Sequence, residues 1–280
     1  MMMRTLFALA LALPLHGAAQ DLPQPSPRGT VEQVVGLTQV KVDYSRPSAK
    51  GRKIFSDLVP YGQLWRTGAN MCSTVELSGP IMVSGKQVAK GKYSLFTIPG
   101  EKEWTIILNS DTTLGGTDGY DQAKDAARFT ASPATAEWTE TFTIDLDEVK
   151  DDKARVDLRW ERTRVSFVIH ADASEQALAN IKEAMGKSDI KAGTYGRCAR
   201  YCVDKGIMLP EALTWAEKSV SMDKKYWTLH TLALCQAANG KYKEAVATAN
   251  ESMAMAQAEN DGSYVGMNKA RIEEWSTKAR

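Results

Sequence analysis

A β-sandwich followed by a helical unit is the architecture this sequence predicts, on three observations. Between residues 31 and 171, apolar and polar positions alternate in short runs separated by Gly and Pro. Beyond residue 171 the apolar period lengthens to that of a helix. Charged residues make up 25% and hydrophobic residues 43%, ordinary values for a globular protein, and 280 residues suffice for two cores. The expected fold is a mainly β N-terminal domain, an antiparallel β-sandwich or jelly-roll, plus an all-α C-terminal domain of helical hairpins.

The chain opens on a targeting pattern. Arg4 supplies a positive charge, residues 6–15 form an apolar run, and Gly17, Ala18 and Ala19 are small enough for cleavage after Ala19. The run is too short to cross a bilayer comfortably. The expected division is a signal peptide over 1–19, a Pro-rich linker without a fold of its own over 20–30, the β domain over 31–171 and the helical domain over 172–280. An exported protein is expected, periplasmic or extracellular, with no membrane insertion after cleavage. The formal net charge of +1 offers no field that would favour nucleic acid.

The strands follow in order. Residues 34–44 read as one period-two stretch, with Val40 and Val42 on one face and Lys41 and Asp43 on the other. Val75 and Leu77 share a face. Ser84-Gly85 signals a two-residue hairpin between residues 81–83 and 86–88. Gly91 precedes a strand over 92–98, and Pro99-Gly100 turns it into 104–109. Residues 114–121 (LGGTDGYD) read as a flexible loop, with a weaker strand near 127–131. Phe142, Ile144 and Leu146 share a face, as do Val156, Leu158 and Trp160, and then Val165, Phe167 and Ile169.

Helices follow. Ser174 is placed to cap the first, whose apolar face is Ala177, Leu178, Ile181 and Met185. Further helices are predicted at about 190–205, 210–222, 226–238, 241–257 and 263–278. Residues 229–252 resemble a tetratricopeptide repeat, with Leu232, Ala233, Gly240, Tyr242, Ala245 and Ala249 at its small and aromatic packing positions. A partial earlier copy places Ala212 a near-repeat before Ala245. A protein partner is expected on this domain.

The β half carries the runs VDYSRPSAKGRKIF, DLVPYGQLWRTGAN, GKYSLFTIPGEKEWTIILN and ETFTID in that order. On these runs it resembles a secreted bacterial family catalogued as domain of unknown function 2911, over residues 42–169. Met71, Cys72 and Ser73 depart from that family's acidic-Ala-Thr pattern, and Leu114 stands where a Trp is common. The resemblance implies domain limits and no activity.

Residues 41–70 concentrate the groups of a binding site. Arg46 and Arg66 are suited to a carboxylate, a phosphate or a hydroxyl-rich group. Tyr44, Tyr61 and Trp65 could stack on a flat or sugar-like ligand, and Thr67 and Asn70 could orient it. The opposing reading is a crossover that covers one end of the sandwich, its arginines bonded to loop carbonyls.

Other chemistry is weakly signalled. No G-x-S-x-G elbow occurs, and His170 and His230 are the only histidines beyond the targeting stretch. Asp43, Asp57, Glu76, Asp118 and Asp121 have no spacing that fixes an acid–base pair. Cys198 and Cys202 share a helical face, but with His230 and Cys235 they lack zinc-site spacing, so neither metal nor cofactor is expected. The pairing of Cys72, Cys198, Cys202 and Cys235 is open. The expected function is that of an exported binding protein, with a small-molecule or glycan ligand on the β platform. The alternative is an envelope- or sugar-directed hydrolase using the same loops.

Overall fold

The computed structural model describes residues 22–279, so the targeting stretch 1–19 lies outside the described residues. They form two compact units, one ending at Ala173 and the other beginning at Ser174.

The first unit is an antiparallel sandwich. Its larger sheet contains β1 (Arg28–Val35), β2 (Thr38–Ser45), β3 (Ser73–Leu77), β6 (Gly91–Ile98), β7 (Trp104–Asn109) and β8 (Asp125–Ala131), in the order β1-β2-β3-β6-β7-β8. The smaller sheet contains β4 (Ile81–Val83), β5 (Lys86–Val88), β9 (Pro133–Lys150) and β10 (Lys153–His170), in the order β5-β4-β10-β9. Inward rows from both sheets form one core, among them Val40, Val42, Leu95 and Ile106 from the first and Phe142, Ile144, Leu158 and Trp160 from the second. Such inner rows, interdigitating between aligned sheets, are what strand alternation produces.

Three local readings change. The stretch 34–44 is a hairpin, not one strand, because Gly36 turns with φ +59°; a Cβ there would lie 2.5 Å from the Ala171 carbonyl oxygen. The linker reading ends too late, since β1 begins at Arg28 and pairs with β2 along its whole length. The glycine-rich loop is packed. Leu114 and Tyr120 lie on Phe96 and Ile107, on the face of the larger sheet away from the main core, and the Asn109 amide donates to the Asp121 carbonyl at 2.9 Å. Strand β6 is therefore buried on both faces.

Strand β10 folds back on itself. The Ser166 hydroxyl donates to the Asp157 carboxylate at 2.6 Å and the Ala171 N–H to the Asp152 carbonyl at 2.8 Å. Nine residues of straight strand would span roughly 30 Å. The halves of β10 therefore lie side by side, turning near Glu161, whose φ is +50°.

The second unit contains α1 (Ser174–Met185), α2 (Ala192–Lys205), α3 (Leu209–Met222), α4 (Tyr226–Ala238), α5 (Tyr242–Ala258) and α6 (Gly262–Ser276). Consecutive helices pack together, and α4 also packs on α2 and α6. Cys202 and Cys235 are fully buried between Ala199, Ala212, Ala216 and Leu232. All four cysteines are free thiols. A polar chain ties α4, α5 and α6: His230 Nδ1 meets Asn268 Oδ1 at 2.8 Å, Asn268 donates to Ser252 Oγ at 2.8 Å, and Ser252 donates to the Tyr226 carbonyl at 2.6 Å. Among the described residues no helix is long and apolar enough to cross a membrane.

Candidate functional site

The strap 46–72 leaves β2 and returns to its neighbour β3, covering one end of the sandwich on the way. It first runs along β9, where the Ala49 N–H donates to the Glu140 carbonyl and the Phe142 N–H to the Pro47 carbonyl, both at 2.8 Å. It then inserts Ile54, Phe55 and Val59 into the core. Finally Trp65 pairs with Thr97 of β6 through two backbone bonds of 2.7 and 2.9 Å. Burying these apolar groups fixes the path of a segment that has little regular structure.

The neutral site residues mostly turn inward. Tyr44 is only 3% exposed; its hydroxyl donates to the Ile144 carbonyl at 3.2 Å and accepts from the Ile144 N–H at 2.8 Å. Thr67 is fully buried and bonds the Thr97 hydroxyl at 3.2 Å. Trp65 stacks on Trp160 with ring centroids 5.9 Å apart, meets Phe55 and Phe142 edge-on, and donates its indole N–H to the Gly68 carbonyl at 3.0 Å. These groups do not form the open aromatic shelf that the sequence reading allowed. Asn70 uses its amide on the Ser26 carbonyl at 3.2 Å. Tyr61 is exposed.

The two arginines part company. The Arg46 Nε donates to the Phe142 carbonyl at 3.3 Å and its Nη2 to the Thr143 hydroxyl at 3.0 Å, both on β9. Arg66 instead directs Nη1 to the carbonyls of Asn70 and Gly115, at 2.6 and 3.1 Å. The glycine loop lies against this guanidinium: a Cβ on Gly116 would sit 3.2 Å from Nη1 and 3.4 Å from the guanidinium carbon. Arg66 also lines a cleft of about 140 Å³ together with Leu58, Pro60, Gln63, Leu64, Trp65 and Thr117. A fixed cation in a cleft of mixed polar and apolar walls can orient an anionic group while the apolar side chains take up part of the ligand body. Thus Trp65 and Arg66 meet in one cleft, the Asn70 carbonyl accepts from Arg66, the Thr67 hydroxyl donates to the Trp65 carbonyl, and Arg46 and Tyr44 bond the other sheet.

Residues outside the expected set complete the surroundings. Arg28 pairs with Asp43 and donates to the Cys72 carbonyl at 3.2 Å. The Cys72 thiol donates to the Gly116 carbonyl at 3.2 Å, and burial pushes its pKa up against the opposing pull of Arg66 and Arg28. It is a protonated donor, not an activated nucleophile. The Gly115-Gly116 pair was the one sequence signal for the loop's close approach. No carboxylate or imidazole lines the cleft. Among the described residues no three His, Cys, Asp or Glu side chains are grouped so as to hold a metal ion.

The model of a family described as "Protein of unknown function (DUF2911)" matches residues 26–169. No curated protein and no solved structure matches the chain. The match contains β1 through β10 almost entirely, together with the strap and the glycine loop. Spanning more than half of the 280 residues, it shows that this chain belongs to the DUF2911 family.

Proposed function

We propose that the protein is an exported binding protein. Its β unit holds a small ligand bearing a carboxylate or phosphate, or an acidic sugar, in the Arg66 cleft. The observation that carries this reading is the Arg66 guanidinium, anchored by one nitrogen to two carbonyls and lining a cleft in which polar groups of Gln63 and Thr117 lie beside apolar side chains. Anchoring through Nη1 holds the group in place and leaves the remaining donors for a ligand, which lowers the ordering cost of binding.

The hydrolase alternative draws no support from this site. Asp43 is paired to Arg28 and not to Arg46 or Arg66, and acid–base chemistry needs a titratable group within hydrogen-bond reach of the substrate. The helical unit is proposed to carry the protein partner. Helices α2 and α4 begin 34 residues apart, at Ala192 and Tyr226, which supports a tetratricopeptide-like arrangement.

The test is a thermal-shift screen of small organic anions and acidic sugars on the full chain, repeated with Arg66→Gln. Stabilisation by at least one compound that disappears in Arg66→Gln supports the reading. If every hit persists unchanged in Arg66→Gln, or there are no hits, the reading fails.

A further inference from the structure

The outer face of the smaller sheet holds a second set of arginines, unrelated to the cleft. The two bonds that fold β10 on itself join Asp157 to Ser166 and Asp152 to Ala171. Carried along the hairpin, that register sets Arg159 directly opposite Arg164. Both side chains point away from the core, since their neighbours Leu158, Trp160 and Val165 point into it. Residues opposed in this way hold their Cβ atoms about 5 Å apart, and like charges so placed repel.

On its other side Arg159 pairs with Thr143, and Thr143 receives Arg46 Nη2 at 3.0 Å. The Thr143 hydroxyl spends its own proton on the Thr141 carbonyl at 2.8 Å, so it meets Arg46 as an acceptor. The result is a row of Arg46, Arg159 and Arg164 across the sheet.

Acceptors are short along this row. Asp145 takes Arg159 Nη2, and it is the carboxylate bonded within the row. The Nε atoms of Arg159 and Arg164 are buried and have no hydrogen-bond partner among the described residues. Further along the same face the balance reverses: Arg155 alone is shared by Asp147, Glu148 and Asp157. The charges on this face are therefore unevenly distributed, with surplus cation and unused donors at one end. Arg159 remains 38% exposed at its side chain and Arg46 and Arg164 are half-buried, so part of the row meets solvent while the two Nε atoms do not.

We propose that the row Arg46–Arg159–Arg164 binds a tetrahedral oxyanion, a phosphate or sulfate group. Such a group offers several acceptor oxygens and up to two negative charges, which the forks of neighbouring guanidinium groups match. Binding would offset the Arg159–Arg164 repulsion and supply acceptors that the fold lacks.

The experiment is calorimetric titration of the full chain with inorganic phosphate, sulfate and methyl phosphate, in buffers matched in ionic strength with chloride. Saturable binding is expected, and Arg164→Gln should weaken it about tenfold, the loss of one charge-assisted pair. Arg164→Gln removes a repelled charge, so it should melt no lower than the parent protein; Arg159→Gln provides a second loss of affinity. Arg66→Gln should bind phosphate unchanged, which separates this site from the cleft. Tighter methyl phosphate than inorganic phosphate would mark the ligand as an esterified group, and the reverse as the free ion; either supports the site. An absence of saturable binding, unchanged affinity in both Arg164→Gln and Arg159→Gln, or loss of binding in Arg66→Gln would overturn the proposal.

Discussion

Arg46 and Arg66 stand twenty residues apart at the two ends of one strap, and they end in different settings from the tyrosine and tryptophan beside them. Tyr44 and Trp65 give their polar atoms to backbone groups within the sandwich. The arginines are only partly buried; one lines a cleft and the other lies on a sheet face. Partners rather than depth separate Trp65 from the two arginines, for it is half-buried as they are but lies among the core rings. A neutral hydroxyl or indole can be enclosed once its hydrogen bonds are made, whereas a guanidinium is held at the rim where water still reaches it. Aromatic density in a loop is therefore a sign of packing here, and the cations mark where a ligand could be met.

The largest expected effect breaks the inner half of this comparison. Trp65→Ala should cost about 3 kcal/mol of β-unit stability in urea unfolding, because it empties a site between Phe55, Trp104, Phe142 and Trp160. A cost near zero would place Trp65 with the rim. Tyr44→Phe should cost about 1–3 kcal/mol by the same measurement, since it leaves both the N–H and the carbonyl of Ile144 short of a partner.

Two smaller effects concern groups outside the strap. Burial holds the pKa of His230 below its usual 6.5, with Arg200 and Arg271 adding to the shift and Asn268 and Asp204 opposing it. The unfolded chain thus takes up this proton first. Stability of the helical unit should be full above about pH 6.5 and fall as pH drops from there toward the folded pKa. Denaturant midpoints followed by helical circular dichroism check this, and His230→Gln should flatten the slope. Thiol alkylation of the native protein at pH 8 should label the half-buried Cys198 fastest. Cys235, fully buried and with its pKa pushed up to about 12, should be labelled slowest. Mass spectrometry of the labelled peptides reads the order.

Much of the fold was legible because alternation survives wherever one strand face is buried. The inward rows Val156, Leu158, Trp160 and Val165, Phe167, Ile169 could be read directly. The bend that joins them could not, since its positive φ falls on Glu161 without Gly or Pro nearby. The Gly36 hairpin was hidden for a related reason: one glycine inside a continuous β-like run signals a bulge as readily as a turn. At the site, Tyr44 could not be assigned from sequence because its partners are backbone atoms of Ile144, 100 residues on. Arg66 was visible as a cation and Gly115-Gly116 as a place for close approach, but not that the two meet.

The separation of packing strap from charged rim is tested most directly by Arg66→Gln, with urea unfolding and anion binding measured on the same preparation. The expected result is a stability loss of about 1 kcal/mol or less, well below that of Trp65→Ala, together with complete loss of binding to the organic anions that the cleft holds in the parent protein, inorganic phosphate binding being unchanged. A stability loss as large as that of Trp65→Ala, with binding of those organic anions retained, would contradict it and place Arg66 among the groups that only hold the sandwich closed.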